Sequence, residues 1–151
     1  MRRPDSLRDA ALSVWESFLN VPYRWGGDDP LEGIDCSGLA LEGLKAVGLV
    51  PRELDTTAHL LLHQIFADRP VITDEKQLRA GMLVFWADPG LPIHHVEIVW
   101  TCFSDRTLTI GASGGGSKTV DRATAVKQNA YVKIRRVTPG WVAAIDPFPA
   151  I

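Results

Sequence analysis

The spacing of apolar residues changes once along this chain, from a helical period to a strand period, and that change limits the fold more than any other feature. From Ser6 to Leu19, the residues Leu7, Ala10, Ala11, Val14, Trp15 and Phe18 fall on one helical face, with Ser6 placed to cap the N-terminus. The stretch Asn20 to Pro30 breaks the pattern with Pro22, Gly26, Gly27 and Pro30. A second helix is expected to open at Asp35-Cys36-Ser37-Gly38 and run through Leu39, Leu41, Leu44 and Val47. It would end at Gly48, with Pro51 shortly after. Thr56 or Thr57 is suited to cap a third helix, from Ala58 to Phe66. Met82 to Ala87, His95 to Phe103, Thr107 to Ile110 and Tyr131 to Val137 are instead short runs rich in β-branched and aromatic residues, separated by turn residues. Helices followed by strands indicate an α+β fold, N-terminal helices packed on a small antiparallel sheet. Pro139 to Ile151, with three prolines, reads as a surface tail.

A chain of 151 residues is expected to form one domain, residues 1–151, with a conventional hydrophobic core. Apolar residues at 46% and charged residues at 23% exclude a disordered or fibrous chain. The net charge of −2 gives no electrostatic case for nucleic acid or for an anionic membrane, and a monomer is expected. Lys133 and Arg135 alternate in a strand-like run and read as a solvated strand face. No segment approaches the roughly 20 apolar residues of a membrane span. The start, Met1-Arg2-Arg3-Pro4-Asp5-Ser6, is basic, but no apolar run follows it, so no secretory signal is read there.

Of the two cysteines, Cys102 sits in an apolar run and is expected to be a small core residue. Cys36 stands at a helix start. The thiolate is the reactive form of cysteine, and the partial positive charge and free N–H groups of a helix N-terminus favour it. The Cys36 N–H is also placed to help stabilise an oxyanion. Asp35 would oppose ionisation if it pointed at the sulfur, so it is expected to cap the helix or to bind a cationic group. Gly38 is read as keeping the first turn uncrowded for a substrate backbone. A cysteine nucleophile needs a base within reach, and His59, His63, His94 and His95 are available. His94 and His95 enter a strand, which positions a base well, and alternation allows only one of them to face the thiol. Periodicity does not choose between them.

Pro22-Tyr23-Arg24-Trp25-Gly26-Gly27, Asp35-Cys36-Ser37-Gly38-Leu39, Arg79 to Trp86 and His95-Val96-Glu97-Ile98-Val99, in that order, resemble the NlpC-type cell-wall cysteine peptidases of the papain-like superfamily. The resemblance runs from about Leu12 to Ser113. It implies Cys36 as nucleophile and His95 as base. It also implies Tyr23 as a site-lining residue that supports the oxyanion, and Asp35 and Ser37 near the substrate's free amino group; Trp25, in the Gly-rich loop, is read separately as the tryptophan best placed to bind substrate. The implied reaction cuts peptide bonds in peptidoglycan stem peptides, usually between the γ-carboxyl of D-glutamate and a diamino acid. It passes through a thioester acyl-enzyme and needs no metal or organic cofactor. Related members are amidases or acyltransferases.

Two departures stand out. Glu97 replaces the glycine of the family's His-Val-Gly-Ile pattern, and Gly111 stands where a third polar residue, often His, would orient the base. Ser113, Thr109, a backbone carbonyl or a water would then have to serve; otherwise the chain is a catalytically impaired wall-binding module. The run Gly111 to Gly116 looks like variants in phage-associated members, which points to a phage lysin or tail-associated amidase made in a host cytoplasm.

Two other motifs are weaker. Gly111 to Lys118 nearly mimics a phosphate-binding loop, but Ser117 intervenes before the lysine and Thr119-Val120-Asp121 is a poor helix start, so a loop at the cleft rim is expected. His59 and His63 lie one helical turn apart, but Leu60 stands where a metalloprotease needs glutamate, so a surface pair is expected. Trp15, Trp86 and Trp100 read as core and cleft wall.

Overall fold

The computed structural model describes residues 6–29 and 32–149. The basic Met1 to Asp5 stretch, Pro30 of the Gly/Pro loop and the last two residues of the expected tail lie outside them.

Helix α1 spans Leu7–Ser17, and the Ser6 side chain accepts the Asp9 N–H as its cap. Its inward face carries Trp15, which is wholly buried and donates its indole N–H to the Leu39 carbonyl at 3.0 Å. Helix α2 spans Cys36–Ala46, and Gly43 is where the indole lands: a Cβ there would overlap the Trp15 ring. A residue with poor helix propensity thus sits mid-helix because two helices close on each other at that point. Gly48 follows the C-cap Val47 with φ +76°, the left-handed conformation expected of a helix stop.

Five strands form the main antiparallel sheet. β3 (Leu83–Ala87), β4 (Ile93–Cys102), β5 (Thr107–Ser113), β6 (Tyr131–Arg136) and β7 (Trp141–Ile145) lie in the order β6-β5-β4-β3-β7. Alternation divides the side chains. Leu83, Phe85, Val96, Ile98, Ile110 and Ala112 pack into the main core with α1 and α2, whereas Val84, Trp86 and Val99 join a second cluster. His95 and Glu97 share the parity of Val99. A small hairpin, β1 (Asp28–Asp29) with β2 (Gly33–Ile34), precedes α2.

The α+β expectation holds, with four corrections. Residues 139–149 are not a surface tail: β7 pairs with β3 from Leu83↔Ile145 to Trp86↔Trp141. Beyond it, Phe148 packs edge-on against Trp15 with ring centroids 6.4 Å apart, and Asp146 accepts from both Arg8 and Arg79 at 2.8 Å. The third helix is a short α-turn, α3 (Ala58–Leu60), capped by Thr57, that loosens into a π-helix over Leu61–Ile65. Asp121 is a good cap rather than part of a poor start, since its carboxylate accepts the Thr124 N–H and opens α4 (Arg122–Gln128). Cys102 is exposed, not core, because β4 runs out of the sheet at that residue.

Candidate active site

The start of α2 is built by Asp35. Its Oδ1 accepts the Gly38 N–H at 2.7 Å and the Ser37 hydroxyl at 3.3 Å, and its Oδ2 accepts the Gly26 N–H at 3.0 Å. The cap therefore also ties the Gly-rich loop to the helix, and the Asp35 N–H donates back to the Gly27 carbonyl at 3.0 Å. A Cβ at Gly38 would run into that carbonyl. Gly38 thus makes room for the chain's own loop, not for a substrate backbone as expected. Burial raises the Asp35 pKa above the usual carboxylate range, against the lowering effect of these hydrogen bonds.

Cys36 opens α2 with 8% of its surface exposed, at the wall of an open cleft of about 1060 Å³. Tyr23, Trp25, Asp35, Ser37, His95 and Ser113 line the same cleft. Tyr23 is buried and lies over Gly115, where a Cβ would strike its ring. Burial, then the nearby Cys36 and Asp35 charges, push the Tyr23 pKa up, so its hydroxyl stays a donor at neutral pH. Trp25 is 54% exposed, the one tryptophan of the set that presents its ring to the cleft while largely open to solvent.

The two adjacent histidines separate as strand alternation requires. His95 is partly buried and faces the cleft beside Cys36, while His94 stands exposed at the cleft rim. Nε2 of His95 lies 2.6 Å from Oε2 of Glu97, which leaves Nδ1 for the thiol. The Trp86 ring packs against the imidazole at 5.3 Å between centroids. Burial disfavours the imidazolium, but the hydrogen bonds to Cys36 and Glu97 outweigh it and raise the His95 pKa to about 9.

Glu97 is the site residue that sequence reasoning missed. It is wholly buried and fully engaged: Oε1 accepts the Thr109 hydroxyl at 2.6 Å, and Oε2 accepts from both His95 and the Arg135 guanidinium. The hydrogen bond to the base comes from Glu97, not from Thr109 or Ser113. Thr109 contacts the carboxylate instead, and the buried Ser113 hydroxyl has no hydrogen-bond partner among the described residues. Arg135 is likewise not on a solvated face, since it turns inward to this buried anion. Burial opposes a charged carboxylate, yet His95 and Arg135 hold Glu97 at about 2. The signal was in the sequence as two departures that fit together. Gly111 leaves open the volume Glu97 fills, and a Cβ there would come within 2.7 Å of Glu97 Cδ.

The weaker motifs resolve simply. Gly111 to Ser113 belong to β5, and of the run only Ser113 to Ser117 reach the cleft. His59 and His63 bring their rings to 4.4 Å, but Nδ1 of His59 accepts the Ile93 N–H at 3.1 Å, which anchors the entry to β4. Among the described residues no group of three or more His, Cys, Asp or Glu is arranged to hold a metal ion.

Taken together, a thiol at a helix tip, an imidazole beside it and an anion behind the imidazole can carry out nucleophilic acyl transfer. A model of the NlpC/P60 family matches residues 20–136. Over 80 residues the chain is 39% identical to Murein DD-endopeptidase MepH of Escherichia coli (strain K12), which covers 53% of this chain and 28% of that protein. Over 114 residues it is 31% identical to Dipeptidyl-peptidase 6 of Lysinibacillus sphaericus, covering 75% of this chain and 35% of the other. The chain thus spans about a third or less of the length of these curated relatives. Among solved structures, the NlpC/p60 domain of the peptidoglycan hydrolase SagA superposes with a TM-score of 0.62 at 25% identity, over 91% of this chain and 97% of that one. An NlpC/P60 family protein from Bacillus cereus ATCC 10987 gives 0.65 at 25% identity, over 97% of this chain and 42% of the other.

Proposed function

The chain belongs to the NlpC/P60 family, and from that premise we propose that it is a peptidoglycan hydrolase, a cysteine endopeptidase acting on stem peptides. Its bond is the amide between the γ-carboxyl of D-glutamate and a diamino acid. The observation that carries this reading is the pairing of Cys36, first residue of α2, with the His95 ring in one cleft.

The Cys36 thiolate attacks the amide carbon, and the carbonyl oxygen becomes an oxyanion facing the Cys36 N–H and the Tyr23 hydroxyl. His95, protonated as its raised pKa favours, gives its proton to the departing amine, and the C–N bond breaks. A thioester remains. Neutral His95 then takes a proton from water as that water attacks the thioester, and the acid and free thiol are released. Asp35 and Asp55, both at the cleft, make one end of it acidic and suited to a substrate ammonium group. The unit acts as a monomeric catalytic domain and draws on no metal or organic cofactor. Its relatives' names support the wall substrate, Murein DD-endopeptidase above all. The rival reading, an impaired wall-binding module, rests mainly on Gly111, and Glu97 occupies the space that residue leaves.

The test is digestion of purified peptidoglycan of several wall types by wild type and by Cys36→Ala, with mass analysis of the soluble products. Wild type should release stem-peptide fragments with a new D-glutamate terminus, and Cys36→Ala should release none. Equal release by both proteins would rule the thiol out, and no release by either would return the chain to the binding-module reading.

A further inference from the structure

We propose that Glu97 is the positioning residue for His95, and that Gly111 and Arg135 exist in their present form to let a buried carboxylate do this from the base's own strand. The proposal rests on the Cys36–His95 reading above.

A carboxylate with no exposed surface is costly in a protein interior, where a well-packed apolar side chain is often at least as stable. Nothing in the packing of β4 demands a charge at this point, since the flanking Val96, Ile98 and Val99 are all apolar and buried. What Glu97 contacts gives the reason. One oxygen is held by Thr109 and the other is shared by His95 and Arg135, so the carboxylate cannot rotate without breaking one of three hydrogen bonds. A fixed acceptor 2.6 Å from Nε2 then fixes the ring plane and turns Nδ1 to the thiol. Residues i and i+2 of a strand project from one face, so the base and its acceptor come from the same rigid segment.

The charges alternate along the line. Cys36 from α2, His95 and Glu97 from β4, and Arg135 from β6 lie along this axis, with Tyr23 and Asp35 beside the thiol end, while β3 and β5 contribute the uncharged Trp86 and Thr109. The buried carboxylate is thus flanked by two cationic partners, His95 and Arg135, which lessens the cost of burying it. Arg135 has a distinct part, since it keeps Glu97 ionised so that the ring proton stays on the ring. Gly111 supplies the volume, because any side chain there would displace the Glu97 methylenes.

The experiment uses the full chain and two variants, Glu97→Gln, close in shape but uncharged, and Glu97→Asp, shorter but charged. Each is checked for a wild-type circular dichroism spectrum. Two readouts are taken, the His95 ring titration by NMR and the rate of muropeptide cleavage against pH. In Glu97→Gln the His95 titration should move down by about one pH unit or more, as for loss of a contacting opposite charge. The rate at the optimum should fall by roughly 10²–10⁴-fold, carried by kcat more than by KM. Glu97→Asp should keep the high titration and recover part of the rate. A Glu97→Gln protein that titrates as wild type and turns over within about twofold of it would overturn the proposal. If wild type cuts no muropeptide while its His95 titration still depends on Glu97, the positioning role stands and the wall-hydrolase reading alone fails.

Discussion

Asp35 and Gly26 are nine positions apart in sequence and joined by a 3.0 Å hydrogen bond from the glycine N–H to the carboxylate that also caps α2. One side chain thereby sets both the nucleophile's helix and the loop that carries Trp25.

Replacing it should loosen both. Asp35→Ala is expected to cost about 1–2 kcal/mol, a lost N-cap together with the loop tether, and to lower Tm by about 2–4 °C per kcal/mol in a chain of this size. Thermal melting measures the first effect. Muropeptide turnover should fall as well, since the acidic end of the cleft loses a charge.

The ion pair between His95 and Glu97 makes both activity and stability depend on pH. The folded pKa of His95 is raised from 6.5 to about 9, so its stabilising contribution is complete below the unfolded value and is lost as pH rises through about 9. Glu97 is lowered from 4.5 to about 2, so its contribution is present above the unfolded value and is lost as pH falls through about 2. Turnover should therefore show an alkaline limb near pH 9, and Tm should decline over the same window. A flat Tm across that limb would contradict the coupling.

The space at Gly111 can be probed without touching the thiol or the base. In Gly111→Ala the new methyl meets Glu97 within 2.7 Å of Cδ, and overpacking of this kind costs about 1–3 kcal/mol. Activity should fall with stability. The paired exchange Glu97→Gly with Gly111→His moves the polar group to the neighbouring strand, and it should recover at least about tenfold over Glu97→Gly alone. Both are read by melting and by product release.

At the other end of the chain, Asp146 holds Arg8, Arg79 and the Phe148 N–H together. Asp146→Ala leaves the part-buried Arg8 guanidinium, the exposed Arg79 and the Phe148 N–H short of a partner and should cost about 1–3 kcal/mol, read as a lower denaturant midpoint. Ending the chain at Pro139 removes β7 altogether and uncovers β3, and that protein should show no cooperative unfolding transition.

Helices α1 and α2 and four strands were legible because each carries its own local signal: Ser6 and Asp35 as caps, Gly48 as a stop, and β-branched runs for β3 to β6. β7 was not. Trp141 to Ile145 lies between Pro139-Gly140 and Pro147, and the strand exists only because β3 offers a partner more than fifty residues away in sequence. Cys102 was misread because a run of apolar residues does not say where the sheet stops. Arg135 shows the same limit, since alternation assigns a side but not what that side meets. Cys36, His95 and Tyr23 were found because motif spacing reflects the cleft that gathers them. Glu97 and Gly111 each looked like a defect when taken singly, and only contact between strands shows them as complements.

Glu97 occupies the volume that a side chain at position 111 would need, so the two sites cannot drift independently. A bulky residue at 111 would fill the space that a carboxylate at 97 needs, and with Glu97 in place any side chain at 111 has to displace it. Any single-step route between the two layouts crosses a protein with glycine at both positions, a base with nothing behind it. Once made, the exchange reverses only through that same intermediate.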